Sequence, residues 1–279
     1  MAEIFFTIAL FLVILSTGGF VVFFIKQDQR IFRLSFMTLS AAFILYTLSL
    51  AIRYYALGVA PVTSLKSSLS FFAWCIIAVY IVFHLRFRIK VLGPFLMPVA
   101  AAFMIVSAFI RGIETTVNPI LKSLWFLIHV TTIFIGDAIF AIAFVTAFMY
   151  LIQEGYIKKK NLGAVYRRLP SLETLDLLNH HSIIYGFPFL TLGMIAGAMY
   201  AQNALGNYWR WDPKEVWTLI TWLAYAILLH ERLAVGWRGR RAALMSILCF
   251  LILIFTFVGG GLWLSGYHSF TNLGAGSGS

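Results

Sequence analysis

The chain has 279 residues, 61% of them hydrophobic and only 11% charged, with a formal net charge of +11. A soluble domain carries about 45–50% apolar and about 25% charged residues, so a water-soluble globule is excluded. The two cysteines, Cys75 and Cys249, stand apart inside apolar runs with no CxxC; a thioredoxin-like pair and a thiolate zinc site are excluded, and both read as packing residues.

Apolar runs long enough to cross a bilayer recur from end to end. They predict an all-α polytopic membrane protein with eight transmembrane helices, at 4–25, 34–56, 68–85, 91–110, 124–152, 177–200, 215–234 and 242–263. The first run follows Met1-Ala2-Glu3 without a basic n-region or a small-residue cleavage site, so it is expected to be a retained span. The loops at 26–33, 86–90, 153–176 and 232–241 carry fifteen of the 21 Lys and Arg residues. That asymmetry predicts cytoplasmic placement for these four loops and an outer location for both termini. Lys158-Lys159-Lys160 and Arg238-Gly239-Arg240-Arg241 then anchor topology near anionic lipid, so the bilayer and not nucleic acid accounts for the charge.

The longest polar interruption, 153–176, has helix formers, a Leu169-Pro170 step and a Ser171-Leu172-Glu173 start, which suits a short helix returning to the membrane. No repeat of fixed period is present. Residues 1–270 read as a single transmembrane domain, and 271–279 as a flexible tail ending in a Gly/Ser linker.

The stretch GNYWRWDPKEVW, Gly206 to Trp217, falls between spans six and seven on the predicted outer side. Trp74, Trp125, Trp222, Trp237 and Trp263 read as interfacial belt residues. Tyr208, Trp209, Trp211 and Trp217 are clustered beyond what a belt requires. Trp209 and Trp211, two apart, do not share a helix face, so an irregular platform is expected. Helix then starts at Asp212-Pro213, with Asp212 as N-cap, Pro213 in the first turn and Glu215 at N3.

An exposed aromatic platform calls for a flat apolar partner. A porphyrin fits: its faces are apolar, its propionates suit basic neighbours, and its iron takes axial imidazole. Of six histidines, His129 lies five residues into span five and His268 just past span eight, both on the outer side. These two could meet over the tryptophan loop. His230 lies fifteen residues after Glu215, about 22 Å along a helix, in the inner third of the membrane. His84, His180 and His181 sit at the cytoplasmic ends of their spans. Any one histidine at a membrane edge is ordinarily an interfacial polar residue. Two flanking one aromatic loop, with a third deep on the next helix, suggest two bis-histidine sites stacked across the bilayer.

The run Trp209-Arg-Trp211-Asp212-Pro-Lys-Glu215-Val-Trp217 to Trp222 resembles the tryptophan-rich WWD signature of heme-handling proteins, with the motif at about 206–222. The wider chain resembles the CcsA (ResC) branch of system II cytochrome c biogenesis, through Leu169-Pro-Ser-Leu-Glu173, Gly186-Phe-Pro188, Leu229-His230, Gly236-Trp-Arg-Gly-Arg240 and Ser265-Gly-Tyr-His268. The related CcmC branch shares the aromatic loop but has fewer spans.

The resemblance implies heme b as cargo and a cytoplasmic (inner) membrane protein whose active face is periplasmic or extracytoplasmic. It makes His129 and His268 the outer axial ligands and His230 an intramembrane ligand whose partner comes from a CcsB/ResB-like membrane protein. It implies heme-binding roles for Tyr208, Trp209, Arg210, Trp211, Asp212 and Trp217, and thioether attachment of heme to an apocytochrome c bearing CxxCH. The enzyme class that resemblance implies is a cytochrome c heme lyase component, with His129 and His268 at the reacting site. A heme exporter and a b-type electron-transfer cytochrome are the alternatives.

Three features sit outside that pattern. His180-His181 read either as an interfacial pair or as an intramolecular partner for His230. Asp137, mid-span five, reads either as a bundle-interior acid or as part of a polar path between the sites. Arg53, Lys66, Arg111, Lys122, Arg210 and Lys214 are the outer-side bases available to propionates, Arg210 and Lys214 foremost because they lie within the motif.

Overall fold

The computed structural model describes residues 1–58, 62, 64–110, 123–160 and 163–262. These residues are helical almost throughout: α1 (Ala2–Lys26), α2 (Gln29–Leu57), α3 (Leu65–Phe87), α4 (Gly93–Phe109), α5 (Leu124–Lys158), α6 (Ala164–Arg168), α7 (Leu172–Leu205), α8 (Pro213–His230) and α9 (Arg240–Leu262). All but α6 are long and apolar enough to cross a membrane, which bears out the eight predicted spans. His268 and residues 263–279 lie outside the described residues, as do Arg111 and Lys122.

The helices belong to two compact units. The first holds α1 to α4, the last turns of α5, and α6. Its first hairpin turns on Gln27, at φ 57°, and on Asp28, whose carboxylate accepts the Arg30 N–H at 2.8 Å as an N-cap. Small residues let α1 and α2 approach: Ser16 Oγ donates to the Ser35 carbonyl at 2.8 Å, and a Cβ on Gly19 would collide with Ser35. Close small-residue contact replaces the hydrophobic drive that lipid removes. A Ser64–Ser67 capping box starts α3, the most buried helix of this unit. His84, in its last turn, packs against Phe32, Phe36 and Tyr80 and bonds the Ile89 carbonyl at 3.3 Å, a packing role.

The second unit contains α5 to Leu151, then α7, α8 and α9. Here α5 and α7 meet across glycines. A Cβ on Gly186 would lie 2.7 Å from Phe140, and one on Gly193 2.6 Å from Ile133. Phe140 in turn stacks on Tyr225 of α8 at 3.6 Å. Thr221 and Thr256 hydroxyls pair at 2.8 Å between α8 and α9, while Asn179 Nδ2 donates to the Ala143 carbonyl at 2.8 Å and to Ser246 at 2.9 Å, joining α7 to α5 and α9. Asp137 lies in the interior at 5% exposure, the bundle-interior alternative for this residue.

Two elements run longer than the predicted spans. Helix α5 continues to Lys158 and α7 begins at Leu172, so the 153–176 interruption is itself mostly helix. The short helix expected there is α6, and the Ser171-Leu172-Glu173 start opens α7 itself. Nothing in Gln153–Lys158 opposes helix, and Glu154 pairs with Lys158 at 2.7 Å with the favourable i,i+4 spacing. Cys75 and Cys249 are buried free thiols, as their apolar setting implied.

Candidate functional site at the tryptophan segment

Helix α7 ends at Gly206, in the left-handed region at φ 76° and bonded to the Gln202 carbonyl at 3.0 Å. The chain then runs without regular structure to Asp212. Asp212 Oδ1 accepts the Lys214 N–H at 2.9 Å, Pro213 occupies N1, and α8 begins where the sequence placed it. Glu215 reaches back beyond the cap and accepts the Arg210 N–H at 2.8 Å. Two carboxylates on the first turn thus fix the backbone that carries the tryptophans, and both sit where the helix dipole favours negative charge.

That backbone holds Trp211 at φ 59°, a left-handed conformation uncommon for a bulky residue. The result is an exposed ring: Trp211 is 71% and Tyr208 57% accessible. Trp209 stands edge-on to Trp211, with centroids 6.0 Å apart and planes at 83°. Its indole N–H is buried and has no hydrogen-bond partner among the described residues, although a buried indole ordinarily finds one. Arg210 is exposed, and Lys214 half-buried beside the cap.

Trp217 behaves differently. It packs edge-on against Phe255 of α9 at 4.5 Å, and its carbonyl accepts from Thr221 and Thr256. It secures α8 to α9 at the base of the segment, while Trp209 and Trp211 form the exposed part. Trp222, expected in a belt, lies against Phe187 and donates its indole N–H to Thr191 at 2.9 Å. It is a bundle contact.

His129 lies in the second turn of α5, facing α7. Its Nδ1 is 2.7 Å from the Gly193 carbonyl. A carbonyl only accepts, so Nδ1 carries the proton and the imidazole lone pair lies on Nε2. That is how a metal-ligating histidine is oriented: the second nitrogen donates to a backbone carbonyl and fixes the tautomer. The ring also rests on Gly197, where a Cβ would come within 2.7 Å of Nδ1. Gly193 and Gly197, one turn apart on α7, form the seat of this imidazole. The sequence reading missed both.

At the other end of α8, His230 is exposed on the same face as Ile220, Leu223 and Ile227. His180 stands elsewhere in the chemistry: its Nδ1 accepts the Arg232 Nε–H at 3.1 Å, so its proton is on Nε2. Neither nitrogen of that neutral ring is left with the lone pair that iron needs, which counts against His180 as an intramolecular partner for His230. Arg232, read from sequence as a loop cation, is instead buried at 7% exposure. It pairs with Asp176 at 3.1 Å and donates to Asn179 Oδ1 at 3.1 Å, because a cation at that depth must be paired to persist.

Comparison with known proteins identifies the family of the chain. The family described as Cytochrome C assembly protein matches residues 62–268, which contain the histidines and the tryptophan segment. The chain is 35% identical over 234 residues to the cytochrome c biogenesis protein CcsA of Chlamydomonas reinhardtii, covering 81% of this chain and 65% of that protein. It is 31% identical over 266 residues to CcsA of Guillardia theta, covering 88% of each. Among solved structures, the cytochrome c heme lyase CcmF superposes with a TM-score of 0.65 at 17% identity, over 92% of this chain and 46% of that one. The fold is therefore shared with CcmF, although this chain spans less than half of the CcmF length. By sequence, the chain belongs to the cytochrome c assembly protein family, among the CcsA proteins.

Proposed function

We propose that the chain is a heme-binding and heme-presenting subunit of a cytochrome c synthase. Family membership assigns it to cytochrome c assembly and hence to heme handling; the finer reading concerns which residues do the work. His129 and His268 are the axial ligands of heme b at the outer face, and Trp209 and Trp211 lie against the porphyrin. Tyr208 extends that shelf, Asp212 and Trp217 hold it, and Arg210 meets a propionate with Lys214 behind it. Residues 1–270 act as one heme-handling module.

The observation that carries this reading is the His129 imidazole, locked by Gly193 with its lone pair on Nε2. The Trp209 indole N–H, without a partner among the described residues and beside an exposed Trp211, adds to it, since a buried donor calls for an acceptor. Bound heme supplies the vinyl carbons to which the two CxxCH thiols add. The chain's own residues hold, orient and leave one edge open, so rate enhancement comes from positioning. The segment Gly206 to Trp217 carries no Cys, Ser or Thr.

His230 belongs to a second, inner site. An imidazole on an outward face within an apolar span is costly in lipid, which favours a ligand or a neighbouring helix there. A CcsB/ResB-like membrane protein would supply the opposing histidine. The test is co-expression of the chain with that partner and a CxxCH substrate, followed by heme staining of the denatured substrate. Covalent heme in the parent and background staining in His129→Ala is the expected result. Staining independent of His129 would overturn the assignment.

A further inference from the structure

Immediately after His230 the helix changes character. Glu231–Val235 forms a π-turn, ended by Gly236 at φ 81°, with the Gly236 and Trp237 N–H groups both bonded to the Glu231 carbonyl. Such turns are rare and concentrate at functional sites. Within it lies Arg232, whose guanidinium is bonded through all three nitrogens. Its Nε donates to His180 Nδ1, its Nη1 to Asn179 Oδ1, and its Nη2 to both the carbonyl and Oδ1 of Asp176 at 3.0 and 3.1 Å. Asp176 Oδ1 also accepts the Gly239 N–H at 3.0 Å, just before α9 starts. Every partner lies on α7 or at the mouth of α9.

We propose that Arg232 is a positioning residue for His230: the guanidinium, clamped to Asp176, Asn179 and His180, fixes the rotation of the last turn of α8 and thereby the direction of the imidazole. The guanidinium itself is buried. Two residues apart on a helix means about 200° of rotation. Holding Arg232 against α7 therefore turns His230 to the opposite, outward side, where it is found exposed. Leu228, at 0% exposure, shares the inward face. Without the clamp, the π-turn loses the side chain that fixes its register, and the imidazole can swing by a full residue position. The planar fork matters, because a lysine cannot reach three acceptors on one helix at once.

This inference rests on the reading of His230 as an axial ligand at the inner site, and the experiment separates the two. The full chain, co-purified with its membrane partner, is prepared in a His129→Ala background so that the remaining heme reports the inner site. Bound hemin is examined by absorption and electron paramagnetic resonance, with and without added imidazole. If His230→Ala leaves low-spin heme unchanged, the ligand assignment falls and the positioning role with it. If His230→Ala abolishes the low-spin signal, Arg232→Gln is expected to convert most inner heme to high spin and to weaken hemin binding at least ten-fold, with imidazole restoring the low-spin spectrum. Asp176→Asn, closer in shape and charge loss only, is expected to give the same change more weakly, and covers the case in which Arg232→Gln fails to fold. A low-spin signal and affinity equal to the parent in Asp176→Asn and in whichever Arg232 variant folds would overturn the proposal. So would equal heme loss at the outer site when the same variants are placed in a chain retaining His129, since that is general unfolding.

Discussion

The two ends of α8 solve opposite problems with the same kinds of residue. At the start, charged side chains act on the backbone: Asp212 caps the helix and Glu215 holds the Arg210 amide, leaving Trp211 exposed. At the far end, the charges act on each other, and Arg232 disappears into a buried set with Asp176, Asn179 and His180. One end leaves aromatic surface exposed; the other is held by paired charge. The lesson is that capping charge can hold aromatic surface exposed, whereas paired charge in the interior marks what must not move.

That contrast can be broken by substitution. Arg232→Met leaves the half-buried Asp176 carboxylate without its cation, and should cost about 3 kcal/mol of stability, the lower end for breaking a buried pair, read as a lower thermal midpoint in detergent. The apolar pair Arg232→Met with Asp176→Leu should recover most of that loss while still freeing the helix end. If the single variant is as stable as the parent, the inner end is not the rigid one. Gly197→Val drives a methyl group into the His129 ring, and should reduce outer-site hemin affinity by about 10–100-fold, the scale of second-shell damage at metal sites. Unchanged affinity would mean that His129 does not need its seat. Asp212→Ala removes an N-cap at a typical cost of about 1 kcal/mol. Melting curves check the stability, and tryptophan fluorescence should report a changed environment for the segment. Trp211→Ala should shift stability by less than about 0.5 kcal/mol, because the ring is 71% exposed. Yet it should lower heme retained at the outer face. A stability loss larger than the heme loss would make Trp211 a packing residue and erase the distinction between the two ends.

Much of this was legible in the sequence, for physical reasons. Eight spans follow from hydrophobic length alone. The Asp212-Pro213-Glu215 helix start follows from capping chemistry, and the irregular run before it from two tryptophans at a spacing no helix face accommodates. Other features depend on which faces meet. Gly193 and Gly197 are ordinary small residues of a membrane helix until α5 sets His129 against them. Arg232 looks like one more cation at a span's end, and only the fold reveals that Asp176, 56 positions earlier, lies within 3.1 Å. The extra turns of α5 and α7 were missed because helix formers continue past the apolar stretch without a break signal. His268, central to the outer site as read from sequence, lies outside the described residues, and its meeting with His129 stays an expectation from span positions and the family resemblance.

The central claim is that His129 presents Nε2 to the iron of heme at the tryptophan segment. It is tested most directly by the electron paramagnetic resonance spectrum of ferric heme bound to the purified full chain, comparing the parent with His129→Gly in the absence and presence of imidazole. In a His230→Ala background, which leaves the outer site to report, the account predicts a low-spin signal in the parent, its loss in His129→Gly, and its return when imidazole is added. A low-spin signal of the same position and intensity in His129→Gly without imidazole would contradict it.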